Sequence, residues 1–180
     1  MTCTFTKRGE TLIHNGFRIR VAVARYETPN GSMVERDIVH HPGAVAVVPL
    51  HEDGTVTLVR QFRTALDAHL MELPAGVRDV AGEAEMITAN RELTEEVGLH
   101  AGHLEHLATF HNSPGFCDEA VSVFLGTELR EVPHHRQGPE EEAMTVLRVP
   151  LADAVAMIHD GRITDGKTVI GLLLTAAGRP

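Results

Sequence analysis

The sequence predicts a protein of the α+β class, in the form of a mixed α/β/α sandwich with an N-terminal antiparallel β-extension. Two observations lead to this fold class. A two-residue apolar period dominates the first half of the chain, whereas three- and four-residue periods are confined to a few later segments. The predicted strands therefore occur in runs rather than in regular βαβ alternation. A chain of 180 residues that is 43% hydrophobic is also long and apolar enough to bury one core.

The N-terminal part of the chain predicts an antiparallel pair of strands. The segment FRIRVAVARY, residues 17–26, alternates apolar residues with polar or small ones, which is typical of a half-buried strand. The tetrapeptide TPNG, residues 28–31, has the composition of a turn. The segment MVERDIV, residues 33–39, can then return beside the first strand.

The next segment predicts a buried strand, a hairpin turn and a loop. GAVAVVPL, residues 43–50, is a short apolar run, and the Asp-Gly pair in HEDGT is a hairpin signal before the strand VTLVRQFR. LMELPAGVRDVAGE, residues 70–83, is interrupted by proline and glycine. We expect that stretch to be a loop without secondary structure.

A helix is predicted from Glu83 to Gly98. Its apolar stripe recurs every three or four residues, and the glycine suits the left-handed position just after a helix. Further strands are predicted at residues 103–111, 120–129 and 144–151. A helix from Leu151 should end at an Asp-Gly pair, and a last helix should follow Asp165. The predicted stripe consists of Met86, Ala89, Asn90, Leu93 and Val97.

Composition excludes several classes of function. The formal net charge of −9 argues against a nucleic-acid-binding surface, which should be basic. No apolar run approaches the roughly 18 residues that a membrane span needs, and the N-terminus lacks the apolar core of a signal peptide. Cys3 and Cys117 form neither a disulfide framework nor a zinc-binding spacing. We therefore expect a cytoplasmic protein with neither nucleic-acid nor membrane partners.

The helix ends in an unusual cluster of acidic residues. RELTEEVG places Glu92, Glu95 and Glu96 near a helix C-terminus, where carboxylates are unfavourable. Such faces are usually solvated surface, but the spacing i, i+3, i+4 also lets the oxygens converge on one cation. We expect Arg91 to orient Glu95 and to leave the other two carboxylates free. Oxygen ligands of this kind suit Mg²⁺ or Mn²⁺, whose remaining partners are commonly phosphate oxygens.

The segment GVRDVAGEAEMITANRELTEEVGL resembles the Nudix box, G-x5-E-x7-R-E-U-x-E-E-x-G-U, where U is a bulky aliphatic residue. One departure is that six residues, not five, separate Gly76 from Glu83. We interpret the extra residue as a loop insertion that leaves the helical glutamates in register. The resemblance implies the Nudix fold and the metal-dependent hydrolysis of a diphosphate linked to another moiety.

The same resemblance implies roles for individual residues. Glu92 and Glu96 would be the main metal ligands, and Glu95 would be a further ligand or would act through water. The carbonyl of Ala75 would be another ligand. The residues that hold the motif together would be Gly76, Glu83, Arg91 and Gly98.

Outside this motif, most of the chain resembles the ADP-ribose pyrophosphatases. The similar segments are ERDIVHHPGAVAVVPL, VRQFR followed by MELPAG, SPGFCDE and ITDGKTVIGLLL. Pro114 lies near the position of a marker proline in that subfamily. The resemblance implies that residues 1–40 form N-terminal strands that exchange between the subunits of a homodimer, and that residues 41–180 form the hydrolase domain.

Candidate substrate-binding residues follow from side-chain chemistry. Arg36 and Arg63 can supply planar donors to phosphate or adenine, although either could be a surface or structural arginine. Glu72 could accept from a nucleobase amine or a ribose hydroxyl, or be an ordinary strand-end carboxylate. Pro114 and Gly115 form a rigid turn that could flank the terminal ribose. Phe116 could pack there as well, or could equally belong to the core.

The resemblance also implies a further carboxylate from a loop after the motif, which here is HHRQGPEEEAM. Its position before a predicted strand favours Glu142 or Glu141, rather than Glu140, as metal ligand or general base, and a solvated charge run is the alternative. The resemblance implies Mg²⁺-dependent hydrolysis of ADP-ribose to AMP and ribose 5-phosphate by an activated water. Another nucleoside diphosphate sugar or a dinucleotide, such as a GDP-sugar or NADH, is an alternative substrate. A non-catalytic nucleotide sensor is an alternative of a different class.

Overall fold

A computed structural model of the protein describes residues 4–133 and 142–178. Two compact units divide the chain. The first takes the described parts of Met1–Gly43 together with His111–Ala120, and the second takes Ala44–Phe110 with the described parts of Val121–Pro180. The predicted division at residue 40 did not anticipate the second segment of the first unit. A return from the distant half of the chain leaves no mark in the local sequence.

The first unit contains an antiparallel three-stranded sheet in the order β1-β2-β3. The strands are β1 (Thr6–Asn15), β2 (Arg20–Glu27) and β3 (Met33–His40). The predicted pairing of the second and third strands around the TPNG turn is confirmed by the register of β2 with β3. Strand β1 was not predicted, because TKRGETLIHN lacks an alternating apolar pattern.

The segment His111–Ala120 is attached to β3 through backbone and side-chain contacts. The Val39 N–H donates to the Phe116 carbonyl at 2.7 Å, and the Asp118 N–H donates to the Val39 carbonyl at 3.1 Å. The His40 ring then joins two carboxylates, with Nδ1 2.5 Å from Asp118 Oδ2 and Nε2 2.9 Å from Glu10 Oε1. The hydrogen bond to Asp118, and next the one to Glu10, raise the pKa of His40 above its ordinary value.

Replacing His40 with Gln should remove a contribution to stability that depends on pH. Because the folded-state pKa is raised, this contribution is complete below the unfolded pKa of about 6.5 and is lost as pH rises through the folded pKa. We expect the difference in unfolding free energy between wild type and His40→Gln, measured by urea denaturation, to be larger at low pH than at high pH. The exposed His14 of β1 supplies the control variant, His14→Gln. A difference that stays constant or grows with pH would contradict the assignment.

The second unit contains two sheets and three helices. One sheet has the order β7-β4-β9-β8, in which β4 and β9 are parallel, and the other has the antiparallel order β10-β5-β6. The strands are β4 (Ala44–Pro49), β5 (Thr55–Arg63), β6 (Ala68–Glu72), β7 (Ala75–Val77), β8 (Leu99–His111), β9 (Ala120–Glu131) and β10 (Thr145–Pro150). The helices are α1 (Glu85–Val97), α2 (Leu151–His159) and α3 (Gly166–Ala177). This mixture of sheets and helices confirms the predicted α+β class.

Strand β4 lies between two hydrophobic clusters. Val45 and Val47 pack with Ala89 and Leu93 of α1 and with side chains of β8 and β9. The alternate residues Ala46 and Val48 face a second cluster, which contains side chains of β5, α2 and α3. Because both faces of the strand are covered, its sequence is continuously apolar rather than alternating.

One of the two predictions in this region is wrong. The supposed loop of residues 70–83 contains the end of β6 and all of β7, because its prolines and glycines obscure strands of only a few residues. The HEDGT segment does turn, with Gly54 at φ 78°. An antiparallel Leu50–Val56 bridge and a hydrogen bond from the His51 N–H to the Thr55 carbonyl at 2.8 Å close this turn, as the hairpin signal predicted, although β4 and β5 belong to different sheets. Within residues 4–133 and 142–178, no helix has the length and apolar character required to cross a membrane.

Candidate active site

Helix α1 buries its carboxylates more deeply than its sequence pattern suggests. Glu92 and Glu96 are 9% and 4% exposed, whereas Met86, which belongs to the predicted apolar stripe, is 50% exposed. Met86 lines an open cleft of about 610 Å³ beside α1 and β8. The predicted stripe is therefore correct at Ala89 and Leu93 but wrong at its N-terminal end. The helix ends as predicted, at Gly98 with φ 67° and a left-handed conformation.

Strand β7 brings its backbone directly against Glu92. A Cβ atom added at Gly76 would overlap the carboxyl group of Glu92. Only glycine leaves space for this approach, so the position needs glycine for packing rather than for backbone flexibility. The structure thus supplies a physical reason for Gly76 in the motif despite its altered distance from Glu83.

The neighbouring residue of β7 holds the second buried carboxylate. The Ala75 N–H donates to Glu96 Oε2 at 3.0 Å. Strand β7 is in turn fixed by antiparallel pairing with β4, in which Ala75 lies opposite Ala46. One short strand thereby positions both glutamates that the motif assigns to the metal, and it places the backbone of Ala75 beside Glu96.

The Arg91 guanidinium contacts four carboxylates rather than one. Nη1 donates to Glu92 Oε1 at 2.7 Å and to Glu95 Oε2 at 3.2 Å. Nη2 donates to Glu83 Oε2 at 3.2 Å and approaches Asp79 at 3.5 Å. The prediction that Arg91 orients only Glu95 and leaves Glu92 free is wrong. The Arg91 side chain therefore connects α1 to Glu83 in the loop before it. Hydrogen bonds from the Thr88 hydroxyl and from Arg91 lower the pKa of Glu83.

The buried carboxylates fit a divalent cation. Burial raises the pKa of Glu92 to about 7, and the charge of Glu95 adds to this effect against the attraction of Arg91. A buried carboxylate of this kind is stabilised when a cation binds. The oxygen donor set of Glu92, Glu96 and the Ala75 carbonyl suits Mg²⁺, which is commonly held by one or two carboxylates together with substrate phosphates.

The remaining predicted carboxylates lie at or beyond the edge of the described chain. Glu142 is exposed, and Glu140 and Glu141 are outside the described residues. Across residues 4–133 and 142–178, no three His, Cys, Asp or Glu side chains are grouped closely enough to hold a metal ion. Among the described residues the site therefore holds two buried carboxylates, and the contributions of the Ala75 carbonyl and of the acidic loop stay predictions.

A second charged cluster surrounds Glu72. Its side chain is 1% exposed and accepts two hydrogen bonds from Arg63, from Nε at 2.7 Å and from Nη2 at 2.5 Å. The Lys167 ammonium also donates to this carboxylate. Burial alone would raise the pKa of Glu72, but Arg63 and Lys167 outweigh it and hold the pKa below its ordinary value. The predicted substrate contact of Glu72 stays a prediction, and in this structure both oxygens are already paired.

Arg63 is half-exposed and lies within the electrostatic influence of the glutamate helix. Its side chain is 40% exposed, so its outer face remains open to solvent. The hydrogen bonds to Glu72 are the main cause of its raised pKa, and the charge of Glu96 contributes as well. Among the predicted substrate-binding residues of the second unit, Arg63 is therefore one whose charge interacts with the candidate metal ligand Glu96.

The other predicted substrate-binding residues belong to the first unit. Arg36 lies on β3 with an exposed side chain and donates to the Glu35 carbonyl. Gly115 and Phe116 lie on the segment that is attached to β3, and Phe116 is 55% exposed. A core position for Phe116, the alternative considered from the sequence, is therefore wrong. The substrate contacts of Arg36, Pro114, Gly115 and Phe116 stay predictions.

Sequence reasoning missed the first turn of α3 as part of this region. Lys167 and Thr168 contact residues 72 and 73, which lie 95 positions earlier in the chain. Only the N-cap signal of Asp165 in ITDGKT was visible in the sequence, and it indicates where a helix begins rather than what the helix contacts.

The chain matches the NUDIX domain family over residues 40–170. It belongs to the Nudix family. This Nudix protein is 40% identical over 172 residues to an ADP-ribose pyrophosphatase of Mycobacterium tuberculosis (strain ATCC 25618 / H37Rv), a match that covers 96% of this chain and 83% of the relative. It is also 40% identical over 160 residues to an ADP-ribose pyrophosphatase of Bacillus subtilis (strain 168), with 89% and 86% covered.

A solved structure described as an ADP compounds hydrolase shares the fold. It superposes with a TM-score of 0.82 and covers 96% of this chain and 92% of its own, at 23% sequence identity. The Nudix fold predicted from the motif is thereby confirmed. Together with the family match, the two relatives show that this Nudix protein is a hydrolase of diphosphate bonds.

Proposed function

We propose that this Nudix hydrolase cleaves ADP-ribose to AMP and ribose 5-phosphate, with Mg²⁺ as its cofactor and Mn²⁺ as a possible substitute. The observation that carries the proposal is the pair of buried carboxylates, Glu92 and Glu96, held against the backbone of β7. The two relatives named ADP-ribose pyrophosphatase, which match nearly the whole chain, support the choice of substrate.

The chain's own residues perform defined tasks in the proposed reaction. Glu92, Glu96 and the Ala75 carbonyl would hold the cation, and Glu95 would bind it directly or through water. Arg91 keeps Glu92 and Glu95 in place through its two hydrogen bonds. When bound, the divalent cation supplies charge stabilisation to the diphosphate oxygens and acidifies the attacking water. Glu141 or Glu142 would accept the proton from that water.

Arg63 supports the binding of an anionic substrate in a protein whose net charge is −9. Its guanidinium is held by Glu72 along one edge while the rest of the side chain remains half-exposed. A guanidinium fixed in this way loses little conformational freedom when it donates to a phosphate oxygen. We therefore keep Arg63 as a phosphate- or adenine-binding residue and assign Glu72 to holding it.

A substrate panel tests the proposal. The protein is incubated with Mg²⁺ and, in turn, ADP-ribose, a GDP-sugar and NADH, and the nucleoside monophosphate and phosphosugar are measured by chromatography. We expect ADP-ribose to give AMP and ribose 5-phosphate with the highest kcat/KM. Inert ADP-ribose alongside turnover of another diphosphate would replace the substrate. Tight binding of ADP-ribose without any turnover would favour the sensor alternative.

We also propose that the protein is a homodimer that forms through its N-terminal sheet. Strand β1 is almost entirely exposed, and large apolar side chains of this sheet remain in water, among them Leu12, Ile13 and Met33 at 55%, 62% and 55% exposure. Exposed apolar side chains on an almost uncovered sheet favour a surface that a second chain covers. Sedimentation equilibrium should give twice the chain mass of 19.6 kDa, and a monomer at micromolar concentration would contradict the proposal.

The free thiol of Cys117 supports a reducing, cytoplasmic location.

A further inference from the structure

The first turn of α3 is tied to the backbone of the segment that leads into β7. Asp165 caps the helix, since its Oδ2 accepts from the Thr168 N–H at 3.0 Å. The same oxygen accepts from the Thr168 hydroxyl at 2.6 Å. That hydroxyl is therefore oriented, and its lone pairs accept from the Leu73 N–H at 2.8 Å. Thr168 is fully buried, so the Leu73 N–H would lose its partner if the hydroxyl were removed.

A charged contact fixes the preceding residue to the same helical turn. The Lys167 ammonium donates to Glu72 and, at 3.0 Å, to Asp165 Oδ1. Lys167 is only 12% exposed and Glu72 only 1%, so solvent screens this pair weakly. Glu72 is thus attached through its side chain to Lys167 of α3. The next residue, Leu73, is attached through its backbone N–H to Thr168.

Helix α3 also packs closely against the side chain of Leu73. A Cβ atom added at Gly171 would lie 2.7 Å from Leu73 Cδ1, so the helix backbone comes as near as glycine allows. Gly171 follows Thr168 by three positions and lies on the same helical face. The contact therefore extends the attachment from the first turn of α3 into the second.

The attached segment continues directly into the candidate metal site. After Leu73, the Pro74 carbonyl accepts from the Val47 N–H at 3.0 Å, and the Ala75 N–H then donates to Glu96. The next residue, Gly76, lies against the carboxyl group of Glu92. Only two residues separate the contact at Leu73 from the contact at Gly76. A shift of the segment at Leu73 would therefore displace the backbone that holds both glutamates.

We propose that Thr168 and Lys167 are positioning residues for the metal site, which act through the segment from Glu72 to Gly76. The proposal rests on the proposed function in that Glu92 and Glu96 are taken as metal ligands. Neither residue needs to touch metal or substrate. Their contribution is to hold the β7 backbone at the distance from α1 that lets the two carboxylates and the Ala75 carbonyl bind one cation.

The test measures Mn²⁺ binding to the full chain, by electron paramagnetic resonance of free Mn²⁺, for wild type, Thr168→Val and Thr168→Ser. Valine has the shape of threonine but cannot accept from Leu73. We expect Thr168→Val to raise the Mn²⁺ Kd by about tenfold or more, as is typical of changes behind the ligands of a metal site. Thr168→Ser keeps the hydroxyl and should remain within about twofold of wild type.

A matched control separates positioning from general destabilisation. Thr57 is also buried, at 4% exposure, and its hydroxyl is 2.8 Å from His51 Nε2. Thr57→Val should lower Tm in the same way as Thr168→Val while leaving the Mn²⁺ Kd unchanged. Equal Mn²⁺ affinity in Thr168→Val and Thr57→Val would overturn the proposal, whatever happens to Tm.

A second variant keeps the proposal testable if Thr168→Val does not fold. Lys167→Met removes a nearby positive charge, and simple electrostatics therefore predicts tighter Mn²⁺ binding. Positioning predicts weaker binding, with a lower kcat at saturating Mg²⁺ and a smaller change in KM. Tighter or unchanged Mn²⁺ binding would count against Lys167. If wild type itself bound no Mn²⁺, the proposed metal site would be wrong. Equal Mn²⁺ binding by wild type and variants would instead contradict the positioning role alone.

Discussion

Glu96→Gln is expected to lower kcat by at least about 10³-fold, equivalent to roughly 4 kcal/mol of transition-state stabilisation, while the protein stays folded. The change replaces the charged carboxylate of a proposed metal ligand with a neutral amide of nearly the same shape. The amide oxygen can still accept from the Ala75 N–H, which now donates to Glu96 at 3.0 Å. The expected loss therefore comes from weaker metal binding rather than from a displaced strand.

Stability should not fall in parallel with activity. Glu96 is buried near the negative end of α1, so removing its charge relieves an unfavourable interaction with the helix dipole. We expect the Tm of Glu96→Gln, measured without metal, to equal or exceed that of wild type. Glu85→Gln, in the first turn of the same helix where Glu85 pairs with Arg78, is the matched control and should keep kcat within about twofold. Near-normal activity of Glu96→Gln would refute the ligand assignment.

Gly76→Ala should abolish most activity and destabilise the protein by about 1–3 kcal/mol, the usual cost of overpacking a tight site. The added methyl group would occupy the position of the Glu92 carboxyl group. Either the glutamate side chain moves away or β7 separates from α1, and both outcomes disrupt the donor set. Kinetics with increasing Mg²⁺ and urea denaturation measure the two consequences.

The matched control for this prediction is Gly9→Ala, another strand glycine but one with open space around the added Cβ. It should leave kcat unchanged. The comparison also decides the role of Gly76 in the motif, because six residues rather than five separate it from Glu83. Full activity of Gly76→Ala would show that the close approach to Glu92 is not required.

Local sequence was sufficient for the glutamate helix and its end. The three- and four-residue period, together with Gly98, defines α1 to within two residues, since helix propensity and a left-handed cap are properties of neighbouring residues. The spacing of Arg91, Glu92, Glu95 and Glu96 on α1, with Glu83 shortly before it, likewise identified the family, because side chains on one helix keep their relative positions wherever the helix packs.

Only the tertiary structure decided which carboxylates are buried and what holds them. Helical periodicity placed the acidic face beside the core, but Gly76 and Ala75 cover Glu92 and Glu96 because β7 pairs with β4. The contacts of Lys167 and Thr168 with residues 72 and 73 depend in the same way on how α3 packs. The sequence by itself determined which candidate ligands the site contains, since residue types and their helical spacing are local. The environment of those ligands depends on residues that meet only after the chain has folded.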